Sequence, residues 1–160
     1  MNQKRVARCL MVAGAMAGMG IVIVFGICLP VIAGEMKAMY PEYSLLYWPG
    51  LIGLWCAAAL FLLGLWEYFR VCARIGRGQS FCGDNARSLT RIALYMALDG
   101  VLCIAAVFAP GLVFHLDIGP FWIILFLCAM ACFALGILAW GLGRLVQKAA
   151  AIQEENDLTV

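Results

Sequence analysis

The sequence predicts an all-α integral membrane protein, a bundle of four spanning helices with both termini in the cytoplasm. Three observations support this fold class. Hydrophobic residues make up 66% of the 160 residues and charged residues only 12%, which is far outside the range of soluble domains. The apolar residues form four runs, each at or above the ~20 residues that cross a ~30 Å hydrocarbon core. The basic residues gather at one end of these runs.

The four predicted spans belong to a single transmembrane domain. In chain order they cover roughly residues 9–33, 46–70, 90–114 and 120–143. We expect helices, because the runs do not alternate between apolar and polar residues as barrel strands do. The first run is too long for the apolar part of a signal peptide, so we expect it to be retained. A connection over 71–89 and a tail over 144–160 complete the domain.

The distribution of Lys and Arg predicts the orientation. Basic residues precede the first span, follow the fourth and cluster around the connection: Lys4, Arg5, Arg8, Arg70, Arg74, Arg77, Arg87, Arg91, Arg144 and Lys148. Only Lys37 falls on the other side. The positive-inside rule therefore places both termini and the connection in the cytoplasm, and the protein in the bacterial inner membrane. The outer loops are too short to form a domain of their own.

The connection reads VCARIGRGQSFCGDNARSLTRI. Gly76 and Gly78 are expected to end the second helix, and Ser80 or Asp84 to cap the next one. The residues after this break that share one helical face are Phe81, Asn85, Leu89 and Ile92.

Two basic residues of the same segment, Arg87 and Arg91, are expected on a different face, near the lipid headgroups. Two interpretations of the segment stay open. It is either the start of a helix with basic interfacial anchors or a cytoplasmic docking surface.

The tail AAAIQEENDLTV is predicted to be helical and acidic. Nothing breaks a helix between Trp140 and Asn156, and the Ala run over 149–151 favours one. Three carboxylates would then lie near the arginines of the connection: Glu154, Glu155 and Asp157. Exposed ion pairs contribute only ~0–1 kcal/mol each, so such pairs would position the tail. An alternative interpretation is that the last three residues form a ligand for a carboxylate-binding module.

Two stretches of the chain, SFCGDNARSLTRI and EENDLTV, resemble a bacterial family of small four-helix membrane proteins known as domain of unknown function 2975. The matching positions are Phe81, Asn85, Leu89, Ile92, Glu155, Asn156, Leu158, Thr159 and Val160. Ser80 departs from the pattern, since Pro is frequent there. The activity of the family is not established. The resemblance implies a gene that commonly lies beside a small Cro/CI-type helix-turn-helix regulator.

These observations predict a membrane-embedded regulatory or sensory protein that presents the 70–91 connection and the C-terminal tail to a soluble partner, such as a helix-turn-helix transcription regulator. The predicted partner-binding residues are Phe81, Asn85, Arg87, Leu89, Glu154, Glu155, Asn156, Leu158, Thr159 and Val160. The net charge of +2 is too small to indicate nucleic acid as a direct partner. The alternative is a small transporter or an ion- or proton-coupled permeability protein.

That alternative depends on Asp99, which lies inside the third predicted span. A carboxylate at this depth is costly, so it is a candidate functional residue. It is either a proton or cation site or a polar switch, or else it is hydrogen-bonded to a neighbouring helix or to Tyr95. Glu67 lies closer to the inner surface, and we expect it to extend toward the interface with Arg70 in reach.

Eight cysteines raise the question of redox or metal chemistry. No CxxC motif occurs, and Cys128 and Cys132 have no nearby His, so most cysteines are expected to act as small hydrophobic residues. Cys72 and Cys82 are the pair that we consider as a redox sensor. No catalytic triad, P-loop, paired catalytic carboxylates or zinc-ligand spacing is present. We therefore predict no enzyme, no metal and no cofactor.

Small residues predict close helix packing. Gly14 and Gly18 form a GxxxG motif in the first span, and Gly136 and Gly143 lie near the end of the fourth. Such residues let two helix backbones approach closely, either within the bundle or across a homodimer face. Both alternatives stay open at this point.

Overall fold

The computed structural model describes residues 3–79, 81–114 and 121–158. Within these ranges the regular structure is helical and contains no strand. Four helical segments are long and apolar enough to cross a membrane: Lys4–Met39, Tyr43–Gly76, Gly83–Val113 and Trp122–Glu155. The predicted all-helical fold with four spans is therefore confirmed for the described residues. The second, third and fourth helices continue well past the predicted spans at the end that carries the connection.

The first span is a helix with one widened turn. It comprises α1 (Gln3–Ile23), a π-helical turn (Val24–Cys28) and α2 (Leu29–Met39). The N–H of Leu29 bonds to the carbonyl of Val24, one residue farther back than in an α-helix. Pro30 follows directly, and a proline ring clashes with the carbonyl of the preceding α-helical turn. The wider π turn gives the chain room to pass this proline without ending the helix.

The second span is α3 (Tyr47–Gly76), which follows a 3-10 segment over Pro41–Leu46. A turn around Gly78, whose φ is 82°, ends this helix. The N–H of Gly78 bonds to the Ile75 carbonyl at 3.0 Å, and the N–H of Gln79 bonds to the Arg74 carbonyl at 3.1 Å. This pair of bonds satisfies the last carbonyls of the helix and needs a residue that tolerates positive φ. Of the two glycines predicted to end α3, Gly78 is the one that does so.

The third and fourth spans are α4 (Gly83–Phe114) and α5 (Phe121–Leu158). The helix of the tail is confirmed, since α5 runs past Trp140 to Leu158. Asp84 lies inside the first turn of α4 rather than ahead of it, so the expectation that it caps the helix is wrong. Ser80, the other predicted cap, lies outside the described residues, as do residues 115–120.

The four spans pack in chain order, each antiparallel to the next. α1 contacts α3, α3 contacts α4, and α4 makes the most extensive contact with α5. Gly14 and Gly18 of α1 lie against α3, where an added Cβ would come within 2.7 Å of the Tyr68 ring and 2.6 Å of Leu65. Gly14 and Gly18 therefore pack within the bundle and not across a homodimer face.

The glycines of α5 bring it close to α4. A Cβ at Gly136 would lie 3.2 Å from the Ala93 carbonyl oxygen, and one at Gly143 would lie 3.3 Å from the Ala86 carbonyl oxygen. Gly76 of α3 similarly faces Ala7 of α1. These contacts place the starts of α1 and α4 and the ends of α3 and α5 at one end of the bundle, which we call the connection end.

Candidate functional site

Glu67 is a buried carboxylate at the connection end, between α3 and α4. The residue is only 4% exposed. The Ser88 hydroxyl donates a hydrogen bond to its Oε2 at 2.8 Å, and Arg91 Nη1 donates to its Oε1 at 2.9 Å. The expected partner Arg70 is present but lies farther away, at 3.4 Å. The expectation that Glu67 extends outward to the interface is therefore wrong, because its carboxylate points into the helix contact.

Arg74 continues this arrangement toward the connection. Its Nη1 donates to the Ser88 hydroxyl at 3.0 Å, to the Asp84 carbonyl at 3.2 Å and to Asn85 Oδ1 at 3.3 Å. One guanidinium near the end of α3 thus contacts three residues in the first turns of α4. A carbonyl, an amide oxygen and a hydroxyl share the same donor group, so the start of α4 is held in one position against α3.

Asn85 ties the connection to these helices; in the structure the connection is the segment 77–82 between α3 and α4. It is 1% exposed, and its Nδ2 donates to the Gln79 carbonyl at 3.0 Å. We define the polar network as Glu67, Arg74, Asn85, Ser88 and Arg91. Every member bonds to a residue of another helix or of the connection, so the network fixes the path of the chain between α3 and α4.

Three members of the polar network share one face of α4. Asn85, Ser88 and Arg91 follow one another at intervals of three residues, and residues at this spacing are neighbours on a helix. Ser88 and the role of Arg74 were missed by the sequence reasoning. This spacing of polar residues at the start of an apolar run is the signal that could have identified Ser88.

The predicted docking residues divide into a buried and an exposed group. The side chain of Asn85 is buried. This position does not support the prediction that Asn85 binds a partner. Phe81 is 59% exposed, and the Arg87 side chain is 80% exposed in an ion pair with Asp84 at 3.3 Å. Leu89 is half-buried. Phe81 precedes α4, so the predicted common helical face does not include it.

The helical tail projects past the connection end. Gly143 contacts α4 near Ala86 and Thr90, and Glu154 lies roughly 16 Å farther along α5 at ~1.5 Å per residue. Glu154 is exposed and forms no ion pair with any arginine in the described ranges. The expected pairing of Glu154 with the connection is therefore wrong, because the helix carries it beyond the start of α4.

Glu155 is likewise exposed. The remaining tail residues of the prediction have no described side chains: Asn156, Asp157, Leu158, Thr159 and Val160. Their prediction as partner-binding residues stays a prediction.

Asp99 is the buried carboxylate at greater depth. It is 4% exposed, and its Oδ1 has no hydrogen-bond partner among the described residues. The bond that Tyr95 was expected to donate is not formed. Asp99 lies near the thiols of Cys103 and Cys132, the latter on α5. A hydrogen bond that joins Asp99 Oδ1 to a neighbouring helix would need a donor, and the described residues provide none.

The cysteines are free thiols. Cys72 is buried and Cys82 is half-buried, and a redox role for this pair stays a prediction. Among the described His, Cys, Asp and Glu side chains, no group of three or more could hold a metal ion.

The chain is similar to a family of proteins of unknown function and to one bacterial membrane protein. The family model described as "Protein of unknown function (DUF2975)" matches residues 31–160. The uncharacterized membrane protein YoaS of Bacillus subtilis (strain 168) is 24% identical over 152 residues, which cover 94% of this chain and 95% of that protein. No solved structure matches the chain. The matched residues include the polar network, the connection and the tail.

Proposed function

The chain belongs to the DUF2975 family of membrane proteins of unknown function, and we propose that it is a regulatory or sensory protein that presents a cytoplasmic surface to a soluble partner. The proposed docking surface consists of the exposed part of the connection, including Phe81 and Arg87, and the tail from Glu154 onward. The proposed partner is a helix-turn-helix transcription regulator. The basic residues at the connection end support a cytoplasmic location for this surface in the inner membrane.

One observation carries this proposal: the connection is held by hydrogen bonds of the buried Asn85 side chain, yet it leaves a large apolar side chain exposed. Asn85 and Arg74 together bond to the connection and to both flanking helices. Phe81 lies within the segment that these bonds hold and is more than half exposed. A preorganised segment binds a partner with less loss of conformational entropy than a mobile loop does. Exposed aromatic residues are also common anchors of protein interfaces.

The tail supports the proposal through its geometry. α5 extends past the start of α4, and Glu154 and Glu155 on this extension are exposed. A partner that contacts both Phe81 and the tail would bridge two features at the same end of the bundle. Such a partner would need an apolar pocket for the ring and basic groups for Glu154 and Glu155.

Co-purification from membranes tests this proposal. The full-length protein is tagged and solubilised, and the regulator encoded beside its gene is measured in the eluate. Phe81→Ala and a chain that ends at Gln153 should each lose most of the regulator. Phe108→Ala is the matched control, since Phe108 is also exposed, at 60%, but lies within the third span. Retention of the regulator by the shortened chain at the wild-type level would remove the main support for the proposal.

A second candidate function rests on Asp99 and its buried oxygen without a partner. In this alternative the protein is a small transporter, and the carboxyl binds and releases a proton or a cation. Proton-coupled uptake into liposomes that Asp99→Asn abolishes would favour this alternative. Equal uptake by liposomes with and without the protein would reject it.

A further inference from the structure

An apolar groove runs along the contact between α4 and α5. It has a volume of about 360 Å³ and is open to the side of the bundle. Its floor is made of small residues, among them Ala93, Ala97 and Gly136. The floor lies at the helix contact itself, because α5 approaches the backbone of α4 at Gly136, where no Cβ intervenes.

Bulky apolar side chains form the walls of the groove. Phe133 and Trp140 stand on α5, and Leu94 stands on α4. The groove extends from Thr90 to Ala97 along α4, which is roughly 10 Å at ~1.5 Å per residue. This length is about two thirds of one leaflet, whose hydrocarbon is ~15 Å thick. Because the third predicted span begins at Thr90, we expect the groove to lie within the leaflet at the connection end.

Two arginines flank the connection end of this groove. The Arg144 guanidinium lies over the Trp140 ring, 5.4 Å from its centroid. Arg87 precedes Thr90 by three residues and so lies on the same side of α4. Gly143 contacts α4 at Ala86 and Thr90, which brings Arg144 and Arg87 to the same level of the bundle. Both side chains are exposed, and the ion pair of Arg87 with Asp84 is exposed as well.

We propose that this groove is a binding site for an anionic phospholipid. One acyl chain lies between Leu94 and Phe133, over the floor at Gly136, and the phosphate lies between Arg144 and Arg87. The charge at one end and the apolar lining over a single leaflet match the two parts of a lipid. A second helix would fit less well, because it would have to cover the whole membrane thickness.

Native mass spectrometry tests this proposal. The protein is released from nanodiscs that contain equal amounts of phosphatidylglycerol and phosphatidylcholine, and the bound lipids are counted. We expect the wild type to retain phosphatidylglycerol in preference to phosphatidylcholine. A basic residue close to an anionic headgroup contributes about fivefold to its binding, so Arg144→Gln should lower this preference about fivefold and the double variant with Arg87→Gln about thirtyfold.

Matched variants separate the groove from the general surface. Ala97→Leu fills the floor and should reduce the retention of both lipids, while Ala59→Leu, at an exposed position of α3, should not. Arg77→Gln, at an exposed position of the connection, should leave the preference unchanged. Equal retention of the two lipids by the wild type, or wild-type retention by Ala97→Leu, would overturn the proposal. So would a dimer that Ala97→Leu dissociates, because the occupant would then be a second copy of the chain.

Discussion

Arg91 lies 2.9 Å from the Glu67 carboxylate, and this ion pair joins the third span to the second. The two residues are far apart in the sequence, and they meet because the short connection makes α3 and α4 antiparallel neighbours. Glu67 is buried while the Arg91 side chain is 56% exposed, so the arginine lies at the edge of the helix contact. The pair therefore links the interior of the bundle to its surface at the level of the connection.

Replacing Glu67 with Leu should destabilise the protein. The variant leaves the buried Ser88 hydroxyl without its acceptor, which costs about 1–3 kcal/mol. Glu67→Gln keeps an acceptor for Ser88 and should retain more stability than Glu67→Leu. The midpoint of thermal unfolding in detergent measures this. Glu35→Gln, at an exposed position outside the polar network, is the control. Equal midpoints for Glu67→Leu and the wild type would contradict the role given to the network.

Asn85→Ala should loosen the connection. The variant loses the bond to the Gln79 carbonyl and the acceptor for Arg74, and a buried side-chain hydrogen bond contributes about 1 kcal/mol. Amide hydrogen exchange over 77–82 should therefore become faster by several-fold, while exchange in the middle of α4 stays unchanged. Gln147→Ala, at an exposed position of α5, is the control. Unchanged exchange in the connection would show that the backbone bonds of the turn around Gly78 hold it without Asn85.

Two glycines of α1 offer a matched test of helix packing. Gly14→Val places a side chain against the Tyr68 ring, where even a Cβ would approach within 2.7 Å. Overpacking of this kind costs about 1–3 kcal/mol, and α1 should separate from α3. Gly20→Val changes the same residue type in the same helix, but no atom of another helix lies within 4 Å of its added Cβ. Unfolding midpoints of the two variants should differ by several degrees. Equal midpoints would mean that the GxxxG motif does not pack as described.

The tail should be dispensable for folding. α5 beyond Gln153 continues as a helix that extends past the start of α4, and Glu154 makes no ion pair there within the described ranges. Removal of exposed residues usually changes stability by less than ~0.5 kcal/mol. A chain that ends at Gln153 should thus unfold at the wild-type temperature and insert normally. A marked loss of stability would show that the tail packs on the bundle, and co-purification with that chain would no longer isolate docking.

The spans could be predicted from the sequence, because an apolar run of sufficient length has one stable form in lipid. The helical tail could be predicted as well, since helix-forming residues follow Trp140 without interruption. The burial of Glu67 could not. In a membrane, apolar residues face lipid and protein alike, so the pattern does not tell which face of α3 meets α4. Asn85 is likewise predicted on a surface, since a polar residue beside the connection is expected to face water, but its side chain points inward.

Asp99→Leu distinguishes the two interpretations of the intramembrane carboxyl. Oδ1 of Asp99 is buried without a hydrogen-bond partner among the described residues. Replacing an unpaired buried polar group with an apolar one of similar size is neutral or stabilising. We therefore expect the unfolding midpoint of Asp99→Leu to equal or exceed that of the wild type. Tyr95→Phe should also leave the midpoint unchanged, since Tyr95 makes no bond to Asp99. A fall in the midpoint of Asp99→Leu would instead show that the carboxyl bonds to a neighbouring helix, and the transporter alternative would then lose the observation that favours it.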